Sequence, residues 1–493
     1  MQNAYNVTLK MIQDVLDKNT YLQVTMDDVL RDALMIGCPD GAIHDITHPK
    51  NNGVVTYSLI LCSRVLIEKL GIRPSNRRWA VPQVQLNGKE TTPALHRIMK
   101  NRFCEWDIIN HYKDTKIPFY DLGDGKCIYS MTGHSMWNRL NYPFISCACK
   151  HGMAADENHV CEMLGDSQYT GDIIKSLNRW GIRNTINSRR TGRQKKYDAK
   201  EHRDWCDEKN NGVCHFGAVP LTYLISCLRY DVFHGKGNIV KVSGKYIRTL
   251  FDGDLDAIET FANLLATLPG WGDYEVSPWI TGDSLSRLKG KHTKSFTHNI
   301  GKITKKLSEM RLPHEVDSLN KSLKAFEVMS SILGCMIIDT YDVAVHYLPD
   351  IPQDSSPQYI AEKMIALYEE QAKFFYKYGM ESFMSDNNVG DKETFYMHCL
   401  RFYMVHIMKH TYAKHKLGPG IWTMEGFEGI NSVSKQVFRN HSNRKGNLAR
   451  QCLAYILLLF TTKIHDVQAE LAKDAKKKHV YNRNSSVSEG EPT

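Results

Sequence analysis

The sequence predicts an α/β protein whose core is interrupted by a large, mainly helical insertion. Three observations predict it. Runs rich in β-branched and aromatic residues alternate with a helix in the first third. Helical apolar periodicity dominates the middle. A helix–turn–helix stretch from His398 to Gly446 then carries acidic, amide and basic residues at helical spacing. With 493 residues, 42% hydrophobic and 24% charged, the chain is long enough for two or three domains around a sizeable core. No secretory pattern opens it, and the longest apolar run, Cys452 to Phe460, is too short to span a bilayer, so no membrane role is expected. The 13 cysteines are odd in number and irregular in spacing, which points to reduced thiols and at most one metal site. A formal charge of +9 leans toward polyanionic partners.

Residues 1–30 read as a helical lead-in, with Val7, Met11, Ile12 and Val15 on one face. Ala33 to Cys38 is apolar and precedes Pro39-Asp40-Gly41, a turn signal. Gly53 to Cys62 reads as a buried strand. Trp79 to Leu86 reads as another, with Pro82 placing it at an edge or a bulge. Thr92 to Asn110 is expected to be helical, and Ile117 to Leu122 a short strand running into Gly123-Asp124-Gly125. Residues 31–150 therefore form the first part of the core. Residues 151–390 form the insertion, and within it Ala218 to Leu250 reads as mostly helical. Residues 391–465 return to the core, and 466–493 form a charged, Ser-rich tail expected to be disordered.

Two basic zones fall in the insertion. Lys175 to Arg203 is dense in Arg and Lys, including Arg189, Arg190 and Arg193, and is interleaved with Trp180 and Tyr197. That composition suits backbone phosphates and base stacking, and equally a solvated loop. Lys289 to Lys306 is the second zone. His202, Cys206, Cys214 and His215 form a Cys/His group of unfamiliar spacing.

In the closing stretch, Gly418-Pro419-Gly420 breaks a His-rich helix. Glu428, Asn431, Lys435 and Arg439 then form one polar stripe, with Phe427, Ile430 and Val437 on the buried side. An amphipathic helix with a solvated face has the same pattern. Phosphoryl transfer on nucleic acids uses two divalent metals held by a few carboxylates. Mg²⁺ or Mn²⁺ prefers such oxygen ligands, and strand ends fix them well. Asp40 and Asp124 meet that requirement, and Glu428 completes a candidate triad.

Four blocks in order resemble the RNase H-like transposases of the Asp-Asp-Glu class, in particular the eukaryotic group with a helical insertion before the Glu, such as the Kyakuja-Dileera-Zisupton elements. They are Cys38-Pro39-Asp40-Gly41-Ala42; Leu122-Gly123-Asp124 followed by Met131-Thr132-Gly133 and Cys147-Ala148-Cys149-Lys150; Val219-Pro220-Leu221 with Asp231-Val232-Phe233-His234; and Tyr396-Met397-His398, Glu425 to Asn431 and Ser442 to Gly446. The catalytic subunit of the antigen-receptor recombinase is a more remote likeness.

The resemblance implies an RNase H-like core, metal ligation by Asp40, Asp124 and Glu428, and an insertion that clasps DNA. It also implies a zinc site joining Cys147 and Cys149 to His398 and His406, or to His410 in place of His406. This chain has Cys-x-Cys where relatives have Cys-x-x-Cys. Lys435, Arg439, Arg444 and Lys445 are expected to contact phosphates. The expected activity is that of a DNA endonuclease and strand transferase, intact or domesticated, acting in the nucleus with DNA as partner and a homodimer as assembly. The alternative is a nucleic-acid-binding protein that keeps the fold without the catalysis. Steep salt dependence of DNA binding with no dependence on metal would mark that alternative.

Overall fold

The computed structural model describes residues 1–43, 53–87, 93–133, 228–240, 254–271, 290–310, 354–374, 395–441 and 448–461, parts of 332–341, and single positions that include 147, 149 and 161. Among them a five-stranded mixed sheet forms the centre. Strand β1 (Leu34–Ile43) pairs antiparallel with β2 (Gly53–Cys62), and β2 pairs antiparallel with β3 (Val81–Asn87). On its other side β1 pairs in parallel with β4 (Phe119–Gly123), and β4 with β5 (Leu228–Tyr230). The spatial order is thus β3-β2-β1-β4-β5.

Two features depart from the sequence expectation. Pro39-Asp40-Gly41 is not a turn; β1 continues through it, pairing Pro39 with Tyr57, Asp40 with Thr56 and Gly41 with Val55. The β1–β4 ladder ends at Gly37–Asp121, so beyond that point β4 offers no ladder for Pro39 to break. Second, the stretch read as mostly helical contributes β5, followed by a helix at residues 232–240. Arg229 lies in the middle of β5, yet it is buried, with its guanidinium 4.5 Å from the Tyr120 ring centre and 5.2 Å from that of Trp422. Pro82 sits on the edge strand β3, beside a register shift at Tyr57/Ser58.

The strand period of two sends alternate side chains to opposite faces. Tyr57 belongs to one face, where its hydroxyl donates to Asp121 at 3.3 Å. Asp121 is also bound by Arg102 of helix α2 (Pro93–Lys113) in a fully buried ion pair. Trp106 of α2 packs against Phe119 and against Tyr5 of α1 (Gln2–Lys18), so these helices cover that face. Gly37 lies there too, and a Cβ would collide with the Tyr57 hydroxyl.

Asp40, Thr56 and Gln85 are register partners on the opposite face. The Gln85 amide donates to Thr56 at 2.9 Å and to Ser434 at 3.1 Å. Ser434 belongs to a helix spanning Glu425–His441, which with the helix Leu448–Thr461 covers this second face. Phe427, Ile430 and Val437 are buried beneath the first of these helices, as its stripe predicts.

Candidate active site and candidate metal centre

Asp40 lies on the inner strand β1 and is 8% exposed. Its carboxylate accepts a 2.6 Å hydrogen bond from the Asn431 amide. Asn431 is fully buried on the helix Glu425–His441, one turn after Glu428, so this bond ties the carboxylate strand to the carboxylate helix across 391 residues. Asp124 follows β4 directly and caps helix α3 (Gly125–Thr132), accepting from the Cys127 backbone N–H at 2.7 Å. Capping alone justifies an Asp at that position. Tyr396 closes over the same turn, its hydroxyl accepting from the Gly125 N–H at 2.8 Å.

A further carboxylate, Asp231, joins the group. It follows β5 and is 2% exposed. Its oxygens accept from the N–H groups of Phe233 (2.9 Å), His234 (2.7 Å) and Met424 (2.7 Å). Val232 donates to the Trp422 carbonyl at 2.8 Å. Together these bonds pin the start of the Glu428 helix to the end of β5. Gly426 completes the fit, since a Cβ there would collide with the Pro74 carbonyl.

The His234 ring bridges two acids: Nδ1 bonds Asp231, and Nε2 lies 3.7 Å from Glu428. Burial opposes its charging, but the hydrogen bond and charge of Asp231, with Asp124 and Glu428 beside them, push His234 up to about 9. Glu428 is itself raised, by burial first and by the charges of Asp231 and Asp124, against His234 and Lys435. The Cys38 thiol is pushed well up by burial and by Asp40, Cys127, Asp231 and Asp124. Asp124 after β4 and Asp231 after β5 stand at the end of the parallel strands, the His234 ring joins Asp231 to Glu428, and Asn431 joins the Glu428 helix to Asp40, which makes an acidic neighbourhood. Glu428 is 43% exposed on its side chain, so this neighbourhood opens to solvent.

Lys435 is half-buried and close enough to act on Glu428, while Arg439 is exposed further along. Arg444, Lys445, Arg189, Arg190 and Arg193 lie outside the described residues, as does the group His202, Cys206, Cys214 and His215.

A second cluster is made of softer ligands. Cys147, Cys149, Cys161 and His398 present ligand atoms that all lie within 4.8 Å of one another. It is the only set of three or more such side chains that close together among the described residues. A tetrahedral Zn²⁺ with Zn–S near 2.3 Å would hold its sulfurs about 3.8 Å apart, so the donor set and spacing fit zinc. Burial resists ionising Cys147, yet hydrogen bonds from Cys149, Cys161 and Tyr403 hold it well below the usual thiol range, while Cys161 is raised. His398 Nε2 lies 3.3 Å and the Tyr403 hydroxyl 3.0 Å from the Cys147 sulfur. In an α-helix, residues five apart point about 140° away from each other. The stretch Cys399–Tyr403 is π-helical, and that wider turn brings His398 and Tyr403 onto one sulfur.

His406 is not part of the cluster; the fourth place is taken by Cys161. Burial and then Arg229 and Lys409 depress the His406 pKa, and its ring lies 6.5 Å from that of His410. His410 is likewise absent from the cluster: its Nδ1 is 2.8 Å from the Arg229 guanidinium. Sequence reasoning named Asn431 in the helix stripe but missed Cys161, because 13 scattered cysteines give no spacing signal. Asp231 and His234 stood in a block of the resemblance without a role.

No family model matches this chain, and neither does any curated protein. No helix among the described residues is long and apolar enough to cross a membrane.

Proposed function

We propose that this chain is an RNase H-like, metal-dependent DNA phosphoryl transferase of the Asp-Asp-Glu transposase type. The observation that carries the reading is the Asn431–Asp40 hydrogen bond, which holds the Glu428 helix against the central strand while Asp124 and Glu428 both act on His234. The sheet order, with three antiparallel strands followed by two parallel ones, supports the same reading. So do three carboxylates rising from β1, from the turn after β4 and from one covering helix. The oxygen donors fit Mg²⁺ or Mn²⁺ rather than a soft metal. Asp40, Asp124 and Glu428 do not meet within the 4.8 Å that marks the thiol cluster, and the reading has them share a pair of cations about 4 Å apart.

Bound there, the cations would activate an attacking water or 3′-hydroxyl and stabilise the leaving oxygen. The chain's own residues set the stage. Asn431 fixes the orientation of the Asp40 carboxylate. Asp231, through Met424 and Val232 through Trp422, hold the first turn of the Glu428 helix in place. The His234 ring lies between Asp231 and Glu428, whose charges favour its protonated form, and so offers a donor to a phosphate held at that position. The exposed lysines of the helices Gly290–His298 and Ile300–Glu309 offer the backbone further cations: Lys291, Lys294, Lys302 and Lys305. The Cys147–Cys149–Cys161–His398 cluster serves as a structural zinc site that anchors the lead-in to the catalytic helix.

The test is nicking of supercoiled DNA by the full chain with Mg²⁺ or Mn²⁺. Wild type should nick, and Asp124→Asn should fall by about a hundredfold or more, since metal stabilisation of the transition state is worth several kcal/mol. Equal nicking by both proteins would remove Asp124 from the site.

A further inference from the structure

A cavity of about 200 Å³ opens next to the carboxylate group. Phe233, which precedes His234, lines it, and so does Glu425, one turn before Glu428. Its charged wall is made by Arg73, Lys236, Lys294, His298, Asp339 and Glu425, drawn from five separate chain segments. Arg73 and Asp339 form a pair, with Nε to Oδ2 at 3.5 Å, and so largely cancel. Lys236 and Lys294 remain against Glu425, which leaves the cavity net positive before His298 is counted.

Lys236 is the unusual member. Among the described residues no carboxylate oxygen comes within 4.0 Å of its amine. Burial depresses its pKa, against the attraction of Glu425, Asp231 and Asp339, and Lys294 adds repulsion. A cation held this way is stabilised by an anion entering the cavity. The helix Gly290–His298 supplies a matching face of Thr293, Lys294, Thr297 and His298; the Thr297 hydroxyl donates to the Thr293 carbonyl at 2.8 Å, and the Thr293 hydroxyl stands beside Lys294. Hydroxyl donors beside lysines are the chemistry of phosphate recognition. The volume falls below that of typical drug-sized sites, which excludes a folded peptide and suits one phosphate-bearing unit.

We infer that this cavity is a phosphoryl-binding site, organised by Lys236 and Lys294, that takes a single nucleotide unit next to the carboxylates. The phosphate has two sources, a strand of nucleic acid or a free nucleotide. Only the first rests on the function proposed above.

The experiment measures equilibrium binding to the full chain of two fluorescent probes, a single-stranded oligonucleotide and a nucleoside triphosphate. Pyrophosphate serves as competitor. Wild type is compared with Lys236→Met, Lys236→Arg, Lys294→Glu and Lys10→Met, each first checked for a wild-type thermal transition. The expected result is a loss of about tenfold in affinity for Lys236→Met and Lys294→Glu, the scale of one charged hydrogen bond. Lys236→Arg should recover most of it, and Lys10→Met, an exposed lysine on the first helix, should bind as wild type. Loss confined to the oligonucleotide assigns the site to a strand; loss for the triphosphate, with competition by pyrophosphate, assigns it to a free nucleotide. If wild type binds neither probe, or if Lys236→Met and Lys294→Glu bind both as wild type does, the inference is overturned. The carboxylate reading would still stand or fall on nicking by Asp124→Asn.

Discussion

Asp231 illustrates what single residues do here. A buried carboxylate is tolerated because the Phe233, His234 and Met424 N–H groups and the His234 ring all donate to it. His415 meets burial differently. Its ring is bonded to the Tyr120 hydroxyl at 2.8 Å, and burial, followed by Arg229 and Lys414, holds it down to about 4. A histidine depressed on folding costs stability as pH falls, because the unfolded chain takes up the proton first. The loss begins near the unfolded value of roughly 6.5 and is complete near 4, amounting to about 3 kcal/mol for this residue. Urea unfolding at pH 7 and pH 4.5 should therefore show a smaller pH dependence for His415→Gln than for wild type. An unchanged difference would mean that the ring already carries its proton in the fold.

At the scale of elements, the decisive piece is the helix Glu425–His441. Its polar stripe and buried side were legible in the sequence, because a 3.6-residue period sorts Glu428 and Asn431 from Phe427 and Ile430. What the period cannot say is what the stripe faces. That depends on Gly426 clearing the Pro74 carbonyl and on Asp231 holding Met424, both contacts between distant segments. The π-helical stretch after His398 was equally invisible, since a wide turn leaves no composition signal, and it decides which partners Cys147 meets. The thiol cluster gives a direct prediction. Metal analysis of the purified chain should find about one zinc per molecule. Cys161→Ala and His398→Ala should each lose most of it, and His406→Ala should keep it, because His406 lies outside the ligand set. Zinc retained in Cys161→Ala and lost in His406→Ala would reverse the ligand set.

For the whole molecule, the strands at 53–62 and 81–87 and the short strand before Asp124 were readable from β-branched runs and Pro82. The turn expected at Pro39-Asp40-Gly41 was misleading for a physical reason. Local turn chemistry gave way to the β1–β2 ladder, which continues to Ile43 and carries Asp40 onto the covered face of the sheet. β5 escaped notice because three residues around an arginine carry no strand pattern; the sheet, the Tyr120 and Trp422 rings and His410 supply what the segment lacks. Convergence of carboxylates separated by hundreds of residues is a property of topology, and pairwise spacing in the sequence could only nominate them. Its most direct test is Mn²⁺ titration of the full, zinc-loaded chain, followed by the loss of free-ion paramagnetic resonance. Asp124→Asn and Glu428→Gln should each weaken Mn²⁺ binding by at least about tenfold while Lys236→Met binds as wild type. If both carboxylate variants bind Mn²⁺ as tightly as wild type, Asp40, Asp124 and Glu428 do not share a cation, and the catalytic account fails.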